Sequence, residues 1–495
     1  MAGRRRLHPV SRSGGIGEDE TDTGLGRDRF PMGDTCVKVI VLGLDCAPPD
    51  WVFNKWLDQL PNIRQLVSNG LWGPIRSSDP PITVPAWATF FTSRNPGQLG
   101  FFGFRNRKNF SYNDLSIANL RGIRVDTLWD ILSRNGKKVG VLGVPPSYPP
   151  KPVNGFMVGC FLTPDTDSPY TYPDSLRHEI AREIGDYKVD VDEFRTKNKT
   201  ALLSRIREMT ETRWRLLRHL MKTREWDLLM MVEMGTDRIH HGFWKYFDPQ
   251  HKKYVPNTPF EQCIPEYYKY LDDEIGQVLE LLDDDTAVIV MSDHGAKRMD
   301  GAININDWLI REGYLSLRES PDGVTRLEKV DIDWSKTRAW AWGGYYSRIF
   351  LNVQGREPDG IIPGSDYARL QHELTEKLCA VQDEHGRVMD TKALRPQDIY
   401  SGPYTEHAPD LLVYFDDLYW RASQDIGHDG IHSFDTEIGP DDAVHDYDGM
   451  FVLYNPATGS PRGQRNGMKL LDGAPTLLHL LKQAVPDDME GSIIG

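Results

Sequence analysis

The sequence predicts an α/β fold with a mostly parallel central sheet. Apolar runs of strand length at residues 37–44 (VKVIVLGL), 139–144 (VGVLGV) and 286–292 (TAVIVMS) have no polar face, as expected for strands covered on both sides. Segments with helical spacing alternate with these runs, which is the β-α-β pattern of a doubly wound sheet. Of the 495 residues, 39% are hydrophobic and 10% aromatic, enough for a large core.

The other elements follow in order. Residues 51–69 are predicted to form a helix, because apolar residues recur at helical spacing and Gly70 follows. The segment 145–173 is rich in Pro, Tyr, Thr and Asp and is predicted to be an irregular loop or cap. Further strands are predicted at 227–233, 347–353, 410–415 and 449–454. Further helices are predicted at 127–135, 267–282, 365–385 and 475–483, and 176–223 is predicted to be mainly helical.

Residues 1–34 are predicted to be a disordered tail, because they combine Gly, Ser and charged residues with few apolar ones. Met32 is an alternative start. Residues 35–495 are predicted to form one large domain with insertions at about 145–225, 245–265 and 315–435.

The net charge of −14 argues against specific nucleic-acid binding, which requires a basic surface. Five widely spaced cysteines with no C-x-x-C pair are typical of a reducing compartment. No apolar run is long enough to span a bilayer, and Arg4–Arg6 precede no hydrophobic stretch. We therefore expect a cytoplasmic protein without a membrane segment.

The stretch 79–97 (DPPITVPAWATFFTSRNPG) presents Thr83 at the predicted start of a buried helix, with Pro85 in the first turn. A helix N-terminus favours anions such as phosphate, because its N–H groups and its dipole face outward. Thr83 is therefore either a helix cap or a residue that meets an anionic group.

Four other segments place Asp or His at the edge of a predicted strand. Asp45 ends the first strand, and Asp293 with His294 follows the strand at 286–292. Asp237 and His241 follow the strand at 227–233 and lie one helical turn apart, so that both could bind one ion. His445 precedes the last strand. Each residue alone is typical of a turn, a cap or a solvated helix face, and the hypothesis of a site depends on their convergence.

Together these motifs resemble the alkaline phosphatase superfamily. GLD at 43–45, PPITVPAW at 80–87, GTDRIHH at 235–241, SDHG at 292–295 and the distal His445 occur in the order of that superfamily. The chain is most similar to the type I phosphodiesterase/nucleotide pyrophosphatase branch, over about residues 37–491. The resemblance implies an alkaline-phosphatase-like three-layer sandwich, with helices on both faces of a mostly parallel sheet and with cap segments.

The resemblance also implies two divalent metal ions. Asp237, His241 and His445 would bind one ion, whereas Asp45, Asp293 and His294 would bind the other, with Thr83 reaching it as the nucleophile. This mixed nitrogen and oxygen set suits Zn²⁺, with Mn²⁺ or Fe as alternatives. The implied reaction is in-line attack by Thr83 on phosphorus, through a phospho-threonine that water then hydrolyses.

The function that follows is a phosphodiesterase or nucleotide pyrophosphatase acting on a small phosphorylated substrate. A phosphomonoesterase or phosphomutase is the alternative, and an inactive metal-binding regulatory protein is a third reading. Ala86 and Trp87 stand where nucleotide pyrophosphatases commonly carry an Asn that contacts phosphate. The standard sulfatase route is disfavoured, because Thr83 stands where sulfatases carry the Cys or Ser that is converted to formylglycine.

Other side chains are assigned packing or supporting roles. The aromatic residues of the block at 339–346 and Cys46 are predicted to pack in the core. His240 is expected to lie beside the ligands rather than to be one. His428 and His432 have ligand-like spacing, but Gly430 disfavours a helix between them.

Overall fold

The computed structural model describes residues 38–436, 439–457 and 459–495. The tail predicted at 1–34 lies outside the described residues. Cys36–Gly495 forms one compact unit. No helix in the described ranges is both long and apolar enough to cross a membrane.

The strands are, in chain order, β1 (Val39–Leu44), β2 (Leu71–Arg76), β3 (Arg105–Arg107), β4 (Leu115–Ile117), β5 (Val139–Leu142), β6 (Gly155–Val158), β7 (Thr171–Tyr172), β8 (Leu228–Glu233), β9 (Ala287–Met291), β10 (Gly295–Arg298), β11 (Gly301–Asn304), β12 (Ala339–Trp342), β13 (Ser347–Leu351), β14 (Lys392–Leu394), β15 (Leu411–Tyr414), β16 (Trp420–Ser423), β17 (His432–Ser433), β18 (Ala443–Asp446), β19 (Asp448–Tyr454), β20 (Gly463–Gln464) and β21 (Met468–Lys469). The α-helices are α1 (Pro61–Asn69), α2 (Thr83–Thr92), α3 (Pro96–Leu99), α4 (Leu128–Arg134), α5 (Leu176–Glu183), α6 (Lys199–Thr223), α7 (Gly235–Phe247), α8 (Cys263–Leu279), α9 (Ile305–Arg311), α10 (Tyr367–Cys379), α11 (Pro396–Ile399) and α12 (Gly473–Leu480).

A 10-stranded sheet forms the centre of the molecule, in the order β20-β2-β19-β9-β1-β8-β5-β6-β7, with β21 also paired to β2. β1 pairs in parallel with β8 on one side and with β9 on the other. β19 and β7 run antiparallel to their neighbours. The predicted α/β fold with a mostly parallel sheet is confirmed. β1 lies at the centre of the strand order, and all six of its residues are buried.

The order of the sheet brings distant parts of the sequence to one edge. Since β8, β1 and β9 are parallel neighbours, the segments that follow their last residues lie side by side. β19 is antiparallel to β9, so its first residues, and the segment before it, reach the same edge. Ligands of open α/β sheets bind at this carboxyl edge.

Several strands were not predicted, and two stretches of the central sheet show why. β2 carries Gly73 and Pro74, which lower its strand propensity, but it is held by β19 on one side and by β20 and β21 on the other. The segment predicted as an irregular loop at 145–173 contains β6, which pairs with β5 in the central sheet, and β7 beside it. Tertiary pairing overrides the local composition in both cases.

The helix predicted at 51–69 is interrupted. A π-helical turn at Asp50–Trp56 and a short 3₁₀ turn at Leu57–Gln59 come before α1, which starts at Pro61. Proline has no N–H and disfavours a helical conformation in the residue before it, and Leu60 is non-helical with φ −119° and ψ 74°. Pro61 therefore opens a new helix instead of continuing the first.

The long insertion predicted near 315–435 contains a second, four-stranded sheet, in the order β12-β13-β15-β14. It contributes most of a hydrophobic core separate from the one around the central sheet, built on buried residues such as Trp340, Leu374 and Trp420.

Gly43 of β1 lies against Trp87 of α2. A methyl group at this position would come within 2.5 Å of the Trp87 ring and 2.9 Å of the Val232 side chain. We expect Gly43→Ala to destabilise the protein by about 1–3 kcal/mol, measured as a lower urea midpoint, because overpacking moves a buried ring or a central strand. Gly364→Ala is the control, since nothing lies within 4 Å of the added methyl. Equal midpoints for the two variants would contradict this packing.

Candidate metal centre

The carboxyl edge of the sheet carries two groups of metal-binding side chains. One group consists of Cys46, Asp237, His241 and His445, and the other of Asp45, Asp293 and His294. All seven residues are buried. The structure thus brings the six Asp and His candidates into two groups and adds Cys46 to the first of them.

In the first group, Asp237 and His241 lie one turn apart on α7, as their spacing predicts. Asp237 Oδ1 is 3.3 Å from His241 Nε2 and 3.6 Å from His445 Nε2. The two Nε2 atoms are 3.3 Å apart. Ligands at about 2.0–2.1 Å from a tetrahedral zinc ion are separated by roughly 3.3 Å, so one such ion fits these three atoms.

The second group follows β1 and β9. His294 Nε2 lies 3.2 Å from Asp293 Oδ2 and 3.8 Å from Asp45 Oδ1. These two carboxylate oxygens are buried and have no hydrogen-bond partner among the described residues. An unpaired buried carboxylate oxygen is costly, and a bound cation would satisfy both. The donor atoms of this group therefore also fit a metal ion.

The Nδ1 atom of each histidine, which does not face the cluster, lies within hydrogen-bond distance of another protein group. His445 Nδ1 is 3.0 Å from the Pro81 carbonyl, and His294 Nδ1 is 3.1 Å from the Gly295 carbonyl. His241 Nδ1 is 2.7 Å from Asp441 Oδ1. A proton on Nδ1 in these contacts leaves the Nε2 lone pair directed into the cluster, which is the tautomer that a metal requires.

The carboxylates are held in the same way. Trp87 Nε1 donates to Asp45 Oδ2 at 2.7 Å, and the Cys46 backbone N–H donates to Asp293 Oδ1 at 3.3 Å. Arg238 donates to Asp237 Oδ2 and forms two further bonds with Asp190. In each of the three carboxylates, one oxygen accepts a hydrogen bond and the other faces the cluster.

The electrostatics show a site short of positive charge. Burial and the neighbouring Asp237 raise the pKa of Asp45 well above its ordinary range, and burial and Asp45 do the same to the pKa of Asp293. Burial lowers the pKa of His294 well below its usual value. Against the cost of burial, Asp441 and Asp237 raise the pKa of His241 to about 9. Crowded buried anions are stabilised by divalent cations.

Thr83 lies beside the second group and is not a helix cap. The N-cap position of α2 is Ile82, and Thr83 is the first residue of the helix, whose ten residues are all buried. Its Oγ1 is 3.4 Å from His294 Nε2. The capping alternative is therefore wrong, because the hydroxyl faces the cluster.

Other sequence candidates lie elsewhere. His428 bonds to Asp307, and His432 bonds to the Gln382 carbonyl, so neither joins the site. His240 is buried behind the cluster, with Nε2 3.4 Å from the Tyr268 hydroxyl.

Four residues near the site were not expected there. Tyr345, interpreted from the sequence as packing, has its hydroxyl 3.2 Å from His241 Nδ1. Arg195 and Asp441 complete a cluster with it. No spacing in the sequence could have indicated them, because they come from three separate segments. Cys46, expected only to pack, lies within ligand distance of the first group, although its thiol contacts the Gly295 carbonyl.

An α/β sheet with Asp and His donors at its carboxyl edge, around a hydroxyl at a helix start, defines the metal-dependent phosphoester hydrolases. The family model of type I phosphodiesterase/nucleotide pyrophosphatase matches residues 39–448, and the chain belongs to this family. It is accordingly a phosphoester hydrolase of the alkaline phosphatase superfamily. No functionally curated protein matches the sequence significantly.

Solved structures show the same fold at low identity. Phosphonoacetate hydrolase from Sinorhizobium meliloti 1021, in complex with phosphonoformate, is 15% identical, with a TM-score of 0.56 over 91% of this chain and 96% of its own. Inactive murine ectonucleotide pyrophosphatase/phosphodiesterase 5, in complex with AMP, is 13% identical, with a TM-score of 0.53 over 91% and 96%. The human form of the latter is 14% identical, with a TM-score of 0.51 over 92% and 97%.

We expect each group to bind one divalent cation. Asp293→Asn should lose the ion of the second group, and Asp237→Asn that of the first, because each removes a charged ligand. Elemental analysis after dialysis against Zn²⁺ should give about two ions per chain for the wild type and about one for each variant.

Asp307→Asn is the matched control, since Asp307 is also a histidine-bound aspartate but lies away from both groups. It should keep both ions. Two ions retained in Asp293→Asn and Asp237→Asn would contradict the assignment of the ligands.

Proposed function

We propose that this chain is a two-metal phosphodiesterase or nucleotide pyrophosphatase that uses Thr83 as its nucleophile. The observation that supports this most is the position of Thr83, whose hydroxyl is 3.4 Å from His294 of the second group at the start of α2. A small phosphorylated compound is the proposed substrate, and residues 35–495 are proposed to work as one catalytic domain.

Two Zn²⁺ ions are the proposed cofactors, held by the residues named above. Asp237, His241 and His445 would bind one ion, whereas Asp45, Asp293, His294 and Thr83 would bind the other. When bound, they would polarise the phosphoryl oxygens, favour ionisation of the threonine hydroxyl and add positive charge to an acidic protein.

The protein's own groups define the proposed steps. Thr83 Oγ1 attacks phosphorus, and the bond from phosphorus to the leaving oxygen breaks, giving a phospho-threonine. Water then attacks the same phosphorus, the bond from phosphorus to Thr83 Oγ1 breaks, and a proton from the water passes to Oγ1, which restores the hydroxyl and releases the phosphorylated product. The first turn of α2 closes with the Ala86 N–H bonded to the Ile82 carbonyl, so the Thr83 and Val84 N–H groups precede it and are placed for a phosphoryl oxygen.

Trp87 has a role other than donating a hydrogen bond to phosphate. Its indole N–H bonds to Asp45, so it orients a proposed ligand. The phosphate contact that relatives make through an asparagine in this region is not provided by Trp87. Charge on the transferring group would depend on the proposed cations and on the start of α2.

The structural neighbours suggest which substrates to test. The murine protein binds AMP, and the bacterial hydrolase binds phosphonoformate. We expect the zinc-loaded protein to hydrolyse an aryl phosphodiester or a dinucleotide at least tenfold faster than the matched aryl phosphomonoester. Initial rates on that pair, with a phosphonate ester as the third compound, measure this preference. A faster monoester reaction would instead support the phosphomonoesterase alternative.

Thr83→Ala should lower kcat by at least 1,000-fold, because the nucleophile is removed, while metal content stays close to that of the wild type. Thr83→Ser should keep part of the activity. Acid quenching of the wild type during turnover, followed by peptide mass spectrometry, should find the transferred phosphoryl group on Thr83, still carrying its second ester group when the substrate is a diester.

Thr89→Ala is the control on the same helix. Thr89 Oγ1 is buried and has no hydrogen-bond partner among the described residues, so its loss removes no hydrogen bond and should change kcat less than threefold. Near-normal turnover in Thr83→Ala would exclude Thr83 as the nucleophile.

A further inference from the structure

We propose that Asp441 is a positioning residue for His241, which it holds in the metal-binding tautomer as part of a partly buried cluster with Arg195 and Tyr345. This inference rests on the proposed metal centre, because Asp441 acts through a proposed ligand.

Among the described residues, Asp441 is the one carboxylate that a site histidine contacts through its Nδ1 atom. His445 and His294 contact the backbone carbonyls of Pro81 and Gly295 through Nδ1, whereas His241 Nδ1 lies 2.7 Å from Asp441 Oδ1. The side chains of His241 and Asp441 are only 1% and 2% exposed, so water does not compete for this contact.

The second oxygen of Asp441 is also fixed. Arg195 Nε donates to Oδ2 at 3.0 Å, and the Tyr345 hydroxyl donates to the same oxygen at 3.0 Å. Arg195 Nη2 in turn donates to the Tyr345 hydroxyl at 2.9 Å. The Asp441 carboxylate therefore has no freedom to rotate away from His241.

The Tyr345 ring covers the imidazoles from one side. Its centroid lies 4.9 Å from that of His241, nearly parallel to it, and 4.4 Å from that of His445. Tyr345 thus restricts both rings while its hydroxyl closes the cluster with Arg195 and Asp441.

The three members come from separate connections. Arg195 lies between α5 and α6, Tyr345 between β12 and β13, and Asp441 just before β18. An ion pair that merely joined loops would not need to end on a metal-binding histidine. The convergence on Nδ1 indicates that the cluster sets the direction of Nε2.

A carboxylate partner has two effects on a histidine ligand. It fixes the proton on Nδ1, and it makes the imidazole a stronger donor than a backbone carbonyl partner would. Loss of such a partner typically lowers metal affinity by about 10–100-fold. We expect Asp441→Ala to weaken one of the two Zn²⁺ sites by this factor and to leave the other unchanged.

The experiment is a competition titration of Zn²⁺ against a chromophoric chelator, for the wild type, Asp441→Ala and Asp441→Asn. Asp441→Asn keeps an acceptor of the same shape without the charge, so its affinity should lie between the other two. The visible absorption of the Co²⁺-loaded proteins is a second readout, and it should change in Asp441→Ala because the ligand geometry at one site changes.

Asp442→Asn is the matched control, one residue further along. Its carboxylate is equally buried and pairs with Lys245 instead of a ligand, so Zn²⁺ affinity should stay within about threefold. Arg195→Ala should weaken the same site less than Asp441→Ala does. The double variant Arg195→Ala/Asp441→Ala should bind Zn²⁺ no more weakly than Asp441→Ala does, because Arg195 acts through Asp441.

The inference would be overturned if Asp441→Asn and Arg195→Ala both kept wild-type Zn²⁺ affinity at both sites and unchanged Co²⁺ spectra. These two variants decide the question even if Asp441→Ala does not fold. A wild-type protein that binds no Zn²⁺ would instead overturn the proposed metal centre itself. The two failures are therefore distinguishable.

Discussion

The candidate site depends on hydrogen bonds that fix one atom of every proposed ligand and leave the other atom facing the cluster. Trp87, Arg238 and the Cys46 backbone N–H hold the carboxylates, whereas two carbonyls and Asp441 hold the imidazoles. These partners place several acidic groups in a buried space, where burial alone would favour their neutral forms. A divalent cation bound among these groups would make the arrangement favourable, which links the architecture to the proposed chemistry.

The sheet supplies the positions from which these bonds are made. Because β8, β1 and β9 are adjacent and parallel, Asp237, Asp45 and Asp293 emerge side by side although they are far apart in sequence. Gly43 leaves room for the Trp87 ring, so the helix that carries Thr83 can pack against the same strand that carries Asp45. Thr83, the proposed nucleophile, and the proposed ligands thus share one rigid support.

The sequence is sufficient for much of this arrangement. Continuous apolar runs predict β1, β8 and β9, and the motifs after them predict the ligands, because short-range patterns and strand ends are local properties. Pairing partners are not local. β2 and β6 lie in segments whose composition disfavours strands, and the cluster of Arg195, Tyr345 and Asp441 joins three connections whose packing no spacing encodes. The role of Trp87 also required the structure, since its indole reaches Asp45 only across Gly43.

The central claim is that two cations lie beside Thr83, each held by its own group of side chains. Anomalous diffraction at the zinc absorption edge, from crystals grown with Zn²⁺, locates such ions directly. We predict two peaks per chain, one bonded to Asp237, His241 and His445, and one bonded to Asp45, Asp293 and His294 on the Thr83 side. A single peak, or peaks that involve neither group, would contradict the account.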